Sequence, residues 1–479
     1  MNDLRILIAR LGWPSTSARW WTMQELAARL GKPAVKTETE AALLELLGSR
    51  KLEAEVVEVL CIFWMAVQEF GYLPTAELAE GISRPSLLSG LLMENFGLSI
   101  QAARADLREV PEDFEIPDDF EGVQGVDLPR IFRTSLAWLE DHTGLPFVKQ
   151  MAFEWTQSHE AYPEAPYQGD LWHFAQSRGK GLSSSLSARA ALRAISAYLR
   201  TLEVAKQFWN MPVELANKES LLALPIHPTF ALLRPMTPGW FSSAHCDGST
   251  EAVESAVRTI LDHLSCTRPG DELIAFNSPV LMSAERCIEV SLVRWSQTTG
   301  GNVDDMDLAG YLDGFWKHGP VLSSDANEPL STTTIIKPPT LPELMNGDAK
   351  AWPLAATIDL ERIGYLQHDL YPSRLYFPTM PGSQSVEITP HEGQLQVSAG
   401  SQIVADFCYW NAGWGPARPK HFGGNCGTAL ISRGKRYRED IAPDDGPSRE
   451  FYLWQIRMLQ RKSSFDEFSE RQLTGVIFV

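Results

Sequence analysis

The spacing of hydrophobic residues along this chain changes once, close to residue 270. Before that point apolar residues recur at three- and four-residue intervals, which is the spacing of amphipathic helices. After it, short segments rich in β-branched and aromatic residues are bounded by Gly, Pro, Asn or Ser, which is typical of strands. The sequence therefore predicts an α+β fold, with a mainly α-helical N-terminal half and a mixed C-terminal domain that contains an antiparallel β-sheet.

Seven segments carry the helical spacing, and one of them is central to the predicted N-terminal half. In residues 51–70 the apolar stripe is joined by Ile62, Trp64 and Met65 on the opposite side, which predicts a helix covered on two sides. The longest predicted helix covers residues 185–209. The others are 17–30, 38–47, 128–139, 147–158 and 250–264.

The clearest strand signal is a meander that begins at Ser385. SVEIT, a loop from Pro390 to Gly393, QLQVS and QIVADFCYW follow one another with alternating side chains, which predicts three antiparallel strands. Residues 450–459 fit either a helix or a strand. Further strands are predicted at 272–276, 286–295, 332–336, 374–377 and 473–479.

Two segments interrupt the regular patterns and predict domain boundaries. Residues 109–127 contain eight acids, two prolines and no Lys or Arg, which predicts a linker or an extended surface segment. Five prolines between Met211 and Pro238 predict a connector. The predicted organisation is a helical domain 1–108, an acidic linker 109–127, a helical domain 128–215, a Pro-rich connector 216–248 and an α+β domain 249–479.

The charge balance and the cysteines limit the function classes. With 42 Lys and Arg against 60 Asp and Glu the net charge is −18, which repels nucleic acids and anionic membranes unless positive charge is concentrated locally. No apolar run is long enough to span a bilayer, and the first residues lack the core of a secretion signal. Six scattered cysteines without a CxxC pair argue against a disulfide scaffold or a structural metal. We expect a soluble cytoplasmic protein with no cofactor and no membrane partner.

Positive charge is concentrated at residues 418–438, which contain no acid. Nearby aromatic residues offer stacking faces, and Gly423 and Gly424 let backbone amides approach a ligand. These features predict binding of a phosphate ligand or a nucleic acid, and pairing with the chain's own acids is the alternative. The cations are Arg418, Lys420, Arg433, Lys435, Arg436 and Arg438.

A second group of cations lies on the predicted helix 185–209. Arg189, Arg193 and Arg200 fall within about 40° of one another at about 100° per residue. A basic stripe opposite an apolar face suits an acidic partner protein, a nucleic-acid backbone or the chain's own acidic linker. The alternative is an ordinary solvated helix face.

The sequence Gly424-Asn-Cys-Gly427 resembles the nucleophile turn of chymotrypsin-like cysteine proteases, whose glycines admit the substrate and free amides for an oxyanion hole. The resemblance implies a hydrolase with Cys426 as the nucleophile, and His421 lies five residues earlier. A tight glycine turn beside a buried thiol is the alternative.

Residues 22–31 resemble the first helix of a helix-turn-helix. The helix that follows carries Glu38, Glu40 and Glu45, which would face DNA phosphates unfavourably. The same geometry also occurs in domains that bind only protein.

No set of residues in the sequence forms a coherent catalytic group. Two basic patches on an acidic, Trp-rich chain favour binding to partners. We therefore expect a non-catalytic interaction or scaffold subunit of a cytoplasmic bacterial multiprotein assembly, such as a phage-defence or other conflict system. Two alternatives stay open: binding of nucleic acid or a phosphate ligand through residues 418–438, and hydrolysis near His421 and Cys426.

Overall fold

The architecture is given by a computed structural model. It describes residues 2–13, 16–100, 106–118, 120, 130–161, 189–234, 236–241, 250–282, 285–298, 345–346, 349–359, 363–367, 374–378, 386–411, 426–434, 448–463 and 466–479.

The chain divides into two compact units. The helical unit comprises Met1–Ala231 and Glu361–Asp369, and the sheet unit comprises Leu232–Leu360 and Leu370–Val479. The predicted helical domains 1–108 and 128–215 thus lie in one unit, and the main boundary falls within the predicted connector 216–248. The five-part division of the chain stays a prediction.

The helical unit is built on α4 (Glu53–Phe70), which is buried on two sides as its sequence predicts. The side chain of Glu55 accepts hydrogen bonds from the backbone amides of Lys51 and Leu52, which fixes the start of this helix. Its end is set by Gly71, whose φ of 64° suits glycine. The other helices are α1 (Asn2–Arg10), α2 (Thr16–Leu30), α3 (Lys36–Gly48), α5 (Glu77–Glu80), α6 (Leu87–Asn95), α7 (Arg130–Thr143), α8 (Phe147–Ala161), α9 (Arg189–Phe208), α10 (Val213–Ser220) and α11 (Pro228–Ala231).

The described part of the acidic linker packs on α8. The Val110 amide donates to Gln150 Oε1 at 2.6 Å, and Lys149 Nζ donates to the Glu112 carbonyl at 2.8 Å. Phe114 meets Phe153 edge to face with ring centroids 5.3 Å apart. These contacts attach the segment to the surface of the helical unit.

The sheet unit combines α12 (Thr250–Thr267) with an antiparallel β-sheet, which confirms the predicted α+β fold. The strands are β1 (Glu272–Met282), β2 (Arg286–Thr298), β3 (Met345–Asn346), β4 (Ala349–Pro353), β5 (Ala355–Asp359), β6 (Arg374–Pro378), β7 (Val386–His391), β8 (Gln394–Ala399), β9 (Gln402–Asn411), β10 (Cys426–Ser432), β11 (Ser448–Gln460) and β12 (Ser469–Phe478). The main sheet has the order β12-β11-β2-β1-β10-β9-β8-β7. Strand β4 pairs with β2 and β3, and β5 pairs with β6 in a separate sheet.

Two strands of the main sheet add to what the sequence predicts. Residues 450–459 lie in strand β11, which pairs with β2 on one side and β12 on the other. Strand β10, which the sequence analysis did not predict, closes the gap between β1 and β9. The predicted strand at 332–336 lies outside the described residues.

One face of the sheet packs against α12. Val257, Ile260 and Leu264 of the helix join Phe276 and Trp410 of the strands in a buried apolar cluster. The cluster fixes the position of β1, β2, β10 and β11 beneath the helix.

Candidate functional site

Strand β12 forms one edge of the main sheet. In the described part of the chain it pairs with β11 and with no other strand. Its ten residues contain no proline, and their register with β11 is continuous from Ser469 to Phe478. A long, regular edge of this kind presents backbone groups that another strand can pair with.

Two observed hydrogen bonds set the direction of the backbone groups along β12. The amide of Val479 donates to the carbonyl of Glu450, and the amide of Arg461 donates to the carbonyl of Glu285 on the other side of β11. In an antiparallel ladder, the backbone N–H and C=O groups of successive residues point alternately towards one neighbouring strand and towards the other. The N–H and C=O groups of Gln472, Thr474 and Val476 therefore point away from β11, towards the outer edge.

The opposite edge of the sheet is protected. Strand β7 has six residues, and Pro390 removes one of its backbone donors. Native sheets commonly block edge association with short strands and prolines. The two edges thus differ, and β12 is the edge that suits strand addition.

A row of buried polar side chains crosses the sheet on the face opposite the α12 cluster. Thr428 lies opposite Asn277, Asn277 opposite Ser291, and Ser291 opposite Gln455, on four neighbouring strands. All four are at most 4% exposed. Within the described residues no hydrogen-bond partner lies within reach of Asn277 Nδ2, Thr428 Oγ1 or Gln455 Oε1.

The helical unit contains a cluster of charges around Arg200. Its Nε donates to Glu154 Oε2 at 2.5 Å, and its Nη1 lies 3.1 Å from Asp106 Oδ2 and 3.4 Å from Glu53 Oε1. Burial raises the pKa of Glu154 even though Arg200 acts in the opposite direction. These four groups come from α4, α8, α9 and the segment after residue 105, and sequence analysis did not connect them.

The structure describes the side chains of two of the three arginines in the predicted basic stripe of helix 185–209. Arg193 is 0% exposed: its guanidinium lies over the Trp155 ring at 4.4 Å and donates to the Trp155 carbonyl at 2.9 Å. Arg200 is 8% exposed and belongs to the charged cluster. The side chain of Arg189 lies outside the described residues. Arg193 and Arg200 thus face the interior, and the partner-binding role stays a prediction.

Of the six predicted anion-binding cations, the described residues include Arg433. It forms a two-point ion pair with Asp406, at 2.9 Å from Nε and 2.7 Å from Nη2, and Arg268 joins the same carboxylate at 2.9 Å. Burial alone would raise the pKa of Asp406, but hydrogen bonds from Arg433 and Arg268 lower it. Arg433 therefore has the internal pairing that the sequence analysis gave as the alternative. Arg418, Lys420, Lys435, Arg436 and Arg438 lie outside the described residues.

The two predicted residues of the hydrolase alternative are not brought together by described atoms. Cys426 begins β10 opposite Asn411, and its side chain is not among those described. His421 lies outside the described residues. Where the chain is described, no three His, Cys, Asp or Glu residues cluster as metal ligands, and no helix there is long and apolar enough to cross a bilayer.

No protein-family model matches this chain, and a search of curated proteins finds no match.

Proposed function

We propose that the chain is a non-catalytic interaction subunit of a cytoplasmic bacterial multiprotein assembly, and that it binds an extended segment of a partner protein along β12. The observation that supports this proposal is the outer edge of β12, which has ten residues, no proline and a continuous register. A strand that adds to such an edge gains main-chain hydrogen bonds, and the neighbouring side chains provide selectivity.

The side chains along β12 indicate what kind of segment fits. The first half of the strand carries Glu470, Arg471 and Gln472, whereas the second half carries Val476 and Ile477. We expect the partner strand to carry polar or oppositely charged residues beside the first half and apolar residues beside the second, because such pairs stabilise neighbouring strands.

The buried charges of the two units support a non-catalytic role. Arg19 forms an ion pair with Glu58, and Arg294 lies 3.1 Å from Glu272 and 2.5 Å from Glu450. An acid–base catalyst exchanges a proton with its substrate, whereas charges held by fixed partners set the geometry of a fold. These pairs therefore favour structural roles for the charges.

The experiment compares two substitutions at one outward-facing position. The chain is tagged, purified from its native host together with the products of its genomic neighbours, and the stoichiometric partner is identified by mass spectrometry. The retention of this partner is then measured for Gln472→Pro and Gln472→Ala. Both variants lose the amide side chain, but the proline variant alone loses the outward N–H.

We expect Gln472→Ala to retain the partner and Gln472→Pro to lose at least about nine-tenths of it, because strand addition needs the outward donor. Circular dichroism and thermal unfolding check that both variants fold. Equal retention by the two folded variants, or the absence of any stoichiometric partner, would contradict the proposal. If Gln472→Pro does not fold, protection of residues 469–478 from hydrogen exchange in the wild-type complex decides the question.

A further inference from the structure

A cavity of about 390 Å³ in the helical unit opens on the charged cluster around Arg200. This volume lies within the range of small-molecule sites. The cavity is bounded by the start of α4, the segment 106–108 and the facing sides of α8 and α9. The lining side chains that bear on its chemistry are Lys51, Arg84, Arg108, Phe153 and Gln157.

The floor of the cavity is formed by one guanidinium and three carboxylates that already contact one another. Arg200 contacts Glu53, Asp106 and Glu154, so a cation that entered would compete with this guanidinium for the same carboxylates. Gln150 Nε2 also donates to Glu154 at 3.0 Å. A cationic ligand or a metal ion would therefore have to displace the Arg200 guanidinium or the Gln150 amide from these carboxylate oxygens.

The rim of the cavity carries two guanidinium groups whose charge is only weakly balanced by nearby carboxylates. The side chain of Arg84 is 40% exposed, and its Nη1 lies 3.8 Å from Asp106 Oδ2, whereas Arg200 Nη1 lies closer to the same oxygen, at 3.1 Å. Arg108 lies 5.0 Å from the Phe153 ring centroid and donates to the neutral amide of Gln157 at 3.3 Å. Among the described residues, no carboxylate lies within ion-pair distance of Arg108.

We propose that this cavity binds a small molecule through one oxyanion group, a phosphate or a carboxylate, held by the guanidinium groups of Arg84 and Arg108. Four cations and three carboxylates line the cavity, whereas the whole chain carries a net charge of −18. Guanidinium groups offer paired N–H donors that match the spacing of phosphate and carboxylate oxygens.

The size and charge of the surroundings select a small ligand rather than a polyanion. A nucleic acid would bring many phosphates close to an acidic chain, whereas a single oxyanion needs only the local excess of cations. Phe153 closes one side of the site and holds Arg108 by a cation–π contact. Arg108 is therefore partly positioned before a ligand arrives, which lowers the entropic cost of binding.

The test is isothermal titration of the full chain at low salt, with pyrophosphate and citrate as separate probes. The wild type is compared with Arg84→Gln, Arg108→Gln and Arg108→Lys. The control is Arg5→Gln, because Arg5 is an exposed arginine of α1 that does not line the cavity. Thermal unfolding of every variant checks that it folds.

We expect saturable binding at one site for at least one probe, weakened about tenfold or more by each Gln variant. Arg108→Lys should bind with intermediate affinity because it keeps the charge and loses the paired donors. Arg5→Gln should stay within about twofold of the wild type, since it leaves the cavity unchanged. Binding of pyrophosphate alone identifies a phosphate site, and binding of citrate alone identifies a carboxylate site.

Two results would overturn the proposal: no saturable binding of either probe, or wild-type affinity in either of the folded Gln variants. If the Gln variants do not fold, hydrogen exchange of the wild type with and without each probe decides the question. Protection of residues 106–110 and 153–158 by a probe supports the site. Unchanged exchange in both segments contradicts it.

Discussion

The backbone amide of Val479 donates a hydrogen bond to the carbonyl oxygen of Glu450 at 3.0 Å. This contact shows which residues of β12 direct their backbone groups towards β11. Because the register is continuous, the backbone groups of Leu473 and Gly475 bond to β11 while those of Gln472 face outward. A shift of the β11–β12 register by one residue would exchange the residues that bond to β11 with those that face outward. The binding edge that we propose thus depends on register as well as on composition.

Arg200 should be essential for the stability of the helical unit. Arg200→Leu leaves Glu53 and Glu154 buried without their guanidinium, so we expect a loss of about 3 kcal/mol in the free energy of unfolding. Glu154→Gln removes one of three carboxylates and keeps an acceptor for Arg200, but it loses the acceptor of the Gln150 amide, so it should cost only about 1 kcal/mol. Urea denaturation measures both. Similar losses for the two variants would contradict this account of the cluster.

The stability of the helical unit should fall in mild acid because of His227. Burial lowers the pKa of this histidine from 6.5 to about 4. Between these values the unfolded chain binds more protons than the folded one, so stability declines as the pH falls from about 6.5 to about 4. The full loss is at most about 3 kcal/mol.

The control for this pH dependence is His227→Asn. The Thr229 amide donates to His227 Nδ1 at 3.1 Å, and an asparagine oxygen can accept the same bond without titrating. We expect the variant to have a flatter stability profile between about pH 4 and pH 6.5. Profiles of equal slope for wild type and variant would show that other groups cause the acid sensitivity.

Replacing one hydroxyl of the buried polar row should stabilise the sheet unit. Thr428→Val keeps the shape of the side chain and removes a buried oxygen for which the described residues offer no partner, so we expect a gain of about 1 kcal/mol. The matched control is Thr201→Val, because Thr201 is also buried and its hydroxyl donates to the Ala197 carbonyl at 2.8 Å. The control should lose about 1 kcal/mol. Denaturant unfolding that ranks the two variants in the opposite order would contradict the assignment.

Most of the regular structure follows from local patterns in the sequence. Helix α4 and the meander from β7 to β9 have strong periodicity and clear turns, so both are predicted close to their observed bounds. Strand β11 is ambiguous locally because its apolar residues fit two periods, and pairing with β2 and β12 decides its conformation. Strand β10 is short, and it forms where β1 and β9 both offer hydrogen bonds.

The sites were much harder to predict because they depend on contacts between distant residues. Arg200 and Glu53 are 147 residues apart, and nothing local to either one identifies the other. On α9 the described side chains from Leu192 to Ala205 are all buried, so helical spacing does not separate an inner face from an outer one. Arg193 and Arg200 share one side of α9, as their spacing predicts, but that side also faces the protein interior.

Residue-resolved hydrogen exchange of β12 tests the proposed binding edge most directly. In the isolated protein the amides of Gln472, Thr474 and Val476 should exchange at least about tenfold faster than those of Leu473, Gly475 and Ile477, because only the second set bonds to β11. In the complex with the partner the outward set should become protected to a similar degree. Outward amides that stay fast in the complex, or that are already protected in the isolated chain, would contradict strand addition at β12.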